Sequence, residues 1–328
     1  MDRLRKDGDE ERKRGQGIVV TDERGSLDSR FREAVSAIDA GDAAGLEGFL
    51  VAHPGLVGAR LEAPGAWLTG KVGGALEGFF RDPYLLWFVA EDPVRNGTLP
   101  GNIAEVAQII IDAAVRERVD SLPDQLEHAL RLVCWSWIAR ESGVQIALID
   151  VLIDAGASPD GTSAFEGRFG THSDAAVFNG NIAAAEHLLA RGAAPTLSTA
   201  LCLERWGDVD RLAADATLED KQDAFVLAAL RGKAEALRRM LVLGIPPTTV
   251  SAHNYAHATA LHHAVWSGSL DAVTVLVEAG ADLTRHDTLY DGTPLGWAGH
   301  CEQEQADETR AGQYAAIADY LRGKEGQR

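Results

Sequence analysis

Four histidines fall within eleven residues of the stretch HNYAHATALHH, at His253, His257, His262 and His263. Imidazole is the commonest metal ligand and the usual proton carrier near neutral pH, so the cluster raises the chemistry of a metal centre or an acid–base site. His253 and His257 stand four apart, a spacing that places two ligands on one helical face. Asn254 and Tyr255 between them, however, fall where a loop is expected. No HExxH run and no Cys–His pairing accompanies them, so no metal ligand is assigned.

Other routes to chemistry are no better supplied. There is no GxSxG, and Cys134 and Cys202 lie among apolar neighbours as core residues would. The three cysteines form no CxxC pair, which argues against a zinc motif or a disulfide framework and suits a reducing cytoplasm. WLTGKVGGALEG and GTLPGN are glycine-rich without Walker spacing, and Lys71 has no Ser or Thr after it. Asp271, Glu278 and Asp282 read as solvated or helix-capping carboxylates. No catalytic residue and no cofactor is assigned.

Composition narrows the partners. The 328 residues carry a formal charge of -18, and nucleic acid and anionic membrane surfaces both select for Lys and Arg. No apolar run reaches the length of a transmembrane helix, so a soluble cytoplasmic protein is expected. Residues 1–26 are dense in charge of both signs and poor in apolar side chains, and are expected to be a disordered leader. Through Arg30 the chain holds eight basic and eight acidic residues, so the net charge belongs to the body.

The body, 27–328, must supply the elements, and it is repetitive. A Thr-like start is followed nine residues on by Gly and about twelve later by another Gly. Thr259, Gly268 and Gly280 fit, as do Thr171, Gly180 and Gly192, and Asp223, Gly232 and Gly244. Ser198 and Gly207 open a unit whose end is degenerate. Within SLDAVTVLVEAG the apolar residues cover most of one helical face, and Gly268 and Gly280 suit left-handed helix ends. Each unit is then a helix, a tight turn, a second helix and a loop, which buries its apolar face only by stacking on its neighbours.

TALHHAVWSG, GTPLGWA and VLVEAGADL resemble the ankyrin repeat, and longer segments such as SGVQIALIDVLIDAGASPDG are similar to bacterial multi-ankyrin proteins. The resemblance implies an all-α ankyrin solenoid of about eight irregular helix–turn–helix units. It places a cap unit at about 31–54, an insertion at about 55–80, divergent units at about 82–220 and clearer ones at about 221–325. His262 then takes the structural histidine of the motif, bonding across the loops, and His263 packs at the repeat interface. Trp87, Phe88, Trp135 and Trp137 occupy inward positions, and Trp297 is structural.

In ankyrin stacks the concave surface is made by the loops and the two residues before each first glycine. Carried onto this chain, that rule nominates Phe178, Asn179, Trp206, Arg231 and Trp266 as partner-binding, with Tyr255 and Tyr290 flanking from the loops. The expected function is a non-catalytic scaffold holding a protein or peptide in that groove. The alternative is an enzyme, or a subunit of one, with a histidine-based site in a pocket built by insertions at 55–80, 93–101 and 301–311.

Overall fold

The computed structural model describes residues 26–161, 170–253 and 255–326. The leader expected over 1–26 lies outside them except for Ser26, which opens the first helix. Among the described residues every regular element is helical. The chain forms two compact units, divided between Ser158 and Pro159.

The first unit contains α1 (26–40), α2 (Ala43–Ala52), α3 (Ala66–Val72), α4 (Ile103–Arg116), α5 (Leu122–Trp135), α6 (Trp137–Glu141) and α7 (Gln145–Asp154). A 3₁₀ segment, Leu85–Ala90, packs on α4 and α5. α4 shows why these residues fold as they do. Its sequence IAEVAQIIIDAAVR buries Ile103, Val106, Ala107, Ile110, Ile111 and Ala114, a continuous stripe at helical spacing. That stripe lies against α2 and α7, and each buried Ile is worth roughly 1.5–3 kcal/mol of transfer free energy.

Two irregular segments of this unit, the ones expected to be insertions, are pinned to its own core. Trp67 Nε1 and Gly65 N donate to Asp28 Oδ1 at 2.7 and 2.8 Å, and the Trp67 ring stacks 6.3 Å from Phe88. Glu91 Oε1 accepts the backbone N–H groups of Arg95, Asn96 and Gly97. Arg95, with 2% of its side chain exposed, bridges Glu91 and Asp39 at 2.9 Å each, stitching 93–101 to α1.

The second unit contains α8 (His172–Phe178), α9 (Ile182–Ala190), α10 (Leu197–Cys202), α11 (Trp206–Asp215), α12 (Leu218–Leu230), α13 (Ala234–Val242), α14 (Ala260–Ser267), α15 (Leu270–Glu278), α16 (Pro294–Glu304) and α17 (Glu308–Glu325). First helices stack on first helices, α8 on α10, then α12, α14 and α16, while α13, α15 and α17 form part of the outer row. Leu201, Phe225, Leu237, Met240, Leu261, Leu276 and Ile317 join one apolar core along the stack. The segment 301–311, expected to be an insertion, is the end of α16, a short turn and the start of α17, with Asp307 capping α17.

Tight turns between paired helices need a left-handed residue. Gly180, Gly232 and Gly268 supply it with φ of 75, 66 and 76°. In the α10–α11 pair the residue with that conformation is Glu204, at φ 57°. All three cysteines are buried, at 0% exposure for Cys134 and Cys202 and 4% for Cys301. Burial raises each thiol's pKa, that of Cys202 to about 12.

Candidate functional site

The loop between α15 and α16 is organised by one carboxylate. Asp287 is 3% exposed and accepts N–H groups from Leu289 and Tyr290 on Oδ1, at 2.9 and 2.7 Å. Its Oδ2 accepts Gly292 N and the indole Nε1 of Trp297, both at 2.9 Å. Burial pushes the Asp287 pKa up, but these donors outweigh it and hold it at about 2. The carboxylate is therefore ionised at neutral pH, and it fixes both Tyr290 on the loop and Trp297 on α16.

The preceding loop and α14 supply the rest. Thr288 N donates to His257 O at 2.8 Å, joining the two loops. His262 Nε2 lies 3.1 Å from Gly292 O, which only accepts, so Nε2 carries the proton and Nδ1 accepts from Thr259 at 2.8 Å. Beside it His263 is 2% exposed, and burial, with His257 and His262 nearby, pushes its pKa down to about 4. Backbone hydrogen bonds at Tyr255 and Ala258 oppose that shift, and Nε2 has no partner. Those bonds therefore fall to Nδ1 and leave a lone pair on Nε2.

Around these two histidines the aromatic rings converge. Trp297, half-buried, has Trp266, Tyr290, His257 and His263 at 6.1, 6.5, 6.0 and 6.3 Å between ring centroids. Trp297 and His257 lie within 33° of coplanar and form a floor. Trp266 and Tyr290 stand at 74° and 67° to the Trp297 ring, as two walls. Tyr255 extends the surface from His257 to Phe178, on which it stacks at 5.3 Å. Tyr255, Trp266 and Tyr290 are 46, 52 and 71% exposed.

The family model described as ankyrin repeats (3 copies) matches residues 172–287. This segment is an ankyrin-repeat array. Among solved structures, the human ASB11 ankyrin repeat domain is similar at 16% identity and a TM-score of 0.33, over 65% of this chain and 94% of that one. No curated protein sequence matches the chain. Ankyrin repeats are in general protein–protein interaction modules, and among the described residues no helix is long and apolar enough to cross a membrane.

The nominated residues fall at the ends of first helices or in loops, except Trp206. Phe178 ends α8 but is 8% exposed beneath Tyr255, and Asn179 caps the same helix, its Nδ2 donating to Ala175 O at 3.0 Å. Arg231 caps α12 and is half-buried. Trp206 does not join the row. It is the first residue of α11, a second helix, with the Arg239 guanidinium 4.3 Å over its ring. The glycine spacing places the turn at Gly207, whereas Glu204 makes it, three positions earlier.

Other expectations resolve similarly. Trp87 and Phe88 are buried, but Trp137 is 47% exposed. The reason is a helix break at Ser136, ψ 109°, which restarts the register at Trp137. Trp297 is structural, as expected, but it is also the centre of the aromatic surface. A signal for this was present: counted from the capping Thr, Trp297 occupies the position that His263 has one repeat earlier. Asp287 left no comparable signal.

The two histidines weighed for metal binding have different surroundings. His253 bonds Asp223 at 2.7 Å and Glu219 at 3.4 Å, and its pKa is raised chiefly by the Asp223 hydrogen bond. His257 lies among the aromatic rings. Among the described residues no three His, Cys, Asp or Glu side chains are grouped to hold a metal. In the first unit, burial and the Arg131 charge push His128 down to about 3, while burial raises Asp92 to about 7. The His128 ring lies flat on buried Trp87, centroids 3.7 Å apart, so this group packs the 3₁₀ segment onto α5.

Proposed function

We propose that the chain is a non-catalytic interaction scaffold that binds a protein or peptide through the face made by Tyr255, His257, Trp266, Tyr290 and Trp297. The observation that carries this reading is the exposure of Tyr255, Trp266 and Tyr290 along one continuous aromatic surface. Exposed aromatic clusters are what interface anchors are made of, because large rigid rings gain contact area at small entropic cost. Phe178 supports the face from below, with Asn179 and Arg231 at the ends of the first helices α8 and α12. A cytoplasmic setting belongs to the same reading, which suits the acidic composition and three cysteines that form no disulfide.

The experiment is proximity labelling in cells with quantitative mass spectrometry, comparing wild type with a Trp266→Ala/Tyr290→Ala double variant and a Trp206→Ala control. A set of neighbours lost in the double variant and kept in the control supports the aromatic face. Retention of every neighbour by the double variant, with unchanged circular dichroism, overturns it.

A further inference from the structure

Three of the protein's own arginines already cover aromatic faces. Arg239 lies 4.3 Å over Trp206, Arg95 5.0 Å over Phe88 and Arg60 5.2 Å over Tyr84. Among the described residues no cation covers Trp266, Tyr290 or Trp297 in that way. The sequence around them withholds one: between Met240 and Leu270 there is no Lys or Arg, and no Asp or Glu either.

Negative charge is nevertheless concentrated here. The ionised Asp287 accepts a hydrogen bond from the Trp297 indole, which shifts electron density into that ring and deepens its attraction for a cation. Asp291, one residue beyond Tyr290, has 92% of its side chain exposed and His286 Nδ1 3.0 Å from its Oδ1.

We infer that this cleft receives an arginine side chain of the protein partner, its guanidinium stacked on Trp297 between Trp266 and Tyr290. This rests on the aromatic face being the binding surface and names what binds there. A planar guanidinium matches a floor with two walls, because it stacks face to face and still keeps N–H donors at its rim. Those rim N–H groups are free to hydrogen-bond the exposed Asp291 carboxylate. A quaternary ammonium has no N–H to give that acceptor and is better served by a closed box. An uncharged planar group, such as the urea of citrulline, has the shape without the charge.

The test uses the full chain and small probes, read by indole N–H resonances in two-dimensional NMR. The probes are the N-acetyl methylamides of arginine, citrulline and trimethyllysine. Saturable shifts of the Trp266 and Trp297 resonances with the arginine probe, absent with citrulline, are expected. Tyr290→Leu, at an exposed position that leaves folding intact, weakens the arginine response about three- to fivefold, and Asp287→Asn weakens it comparably. Equal responses to arginine and citrulline, or a tighter response to trimethyllysine, overturn the inference. If that happens while Trp266→Ala/Tyr290→Ala still loses its cellular neighbours, the binding face stands and only the arginine assignment falls.

Discussion

His263 is a buried imidazole that the fold keeps neutral, and that has a consequence for acid stability. Its ordinary value is near 6.5 and the folded value is about 4. Between those limits the unfolded chain takes up a proton that the folded chain refuses, so this residue's contribution is fully present above pH 6.5 and is lost as pH falls towards 4. The slope is at most about 1.4 kcal/mol per pH unit. Urea melts at several pH values in that window should show His263→Leu losing stability less steeply with acid than wild type; equal slopes would mean that the ring is solvated. Asp287 carries a different load. Asp287→Ala strands the Trp297 indole and three backbone N–H groups, and a cost of about 2–4 kcal/mol is expected. A melting temperature unchanged in that variant would refute its role in building the loop.

At the scale of helices and turns, the pair α10–α11 is the instructive one. Glu204 holds a left-handed conformation that costs a side-chain-bearing residue about 1 kcal/mol, and its ion pair with Lys233, at 3.3 Å between exposed groups, returns little. Glu204→Gly is therefore expected to raise the melting temperature, by up to about 1 kcal/mol of stability. Gly232→Ala should be costly, because a Cβ there would meet Ser269 Cβ at 2.8 Å as well as a φ of 66°. Gly244→Ala, at φ 89° with open space around it, should cost less, and thermal melts of the two variants decide the order.

These turns also show how far the sequence could be read. Where glycine marks the left-handed position, at Gly180, Gly232 and Gly268, the helix pairs and the exposed Trp266 followed directly from counting. Where glutamate occupies that position the next glycine, Gly207, gives a false register that puts Trp206 on a first helix instead of α11. Trp137 escaped because a backbone break at Ser136 leaves no mark in apolar spacing. The convergence on Trp297 depends on two loops meeting through Thr288 and His257, thirty-one positions apart, and local pattern carries no such information.

For the molecule as a whole, the charge of -18 sets how a partner arrives. A cationic ligand approaching so acidic a body is steered over distances comparable to the screening length, which shrinks from about 10 Å at 0.1 M salt to about 3 Å at 1 M. Once a partner is in hand, its association rate should fall about tenfold across that range while dissociation changes little. Stopped-flow rates that ignore salt would remove electrostatic steering from the account. The sealed thiols have a practical side. Since Cys134, Cys202 and Cys301 are out of reach of water and held in their protonated forms at neutral pH, the natural chain should be silent towards maleimides. A Tyr290→Cys variant would then present a single reactive handle on the aromatic face, ready for a photo-crosslinker without any native cysteine being removed.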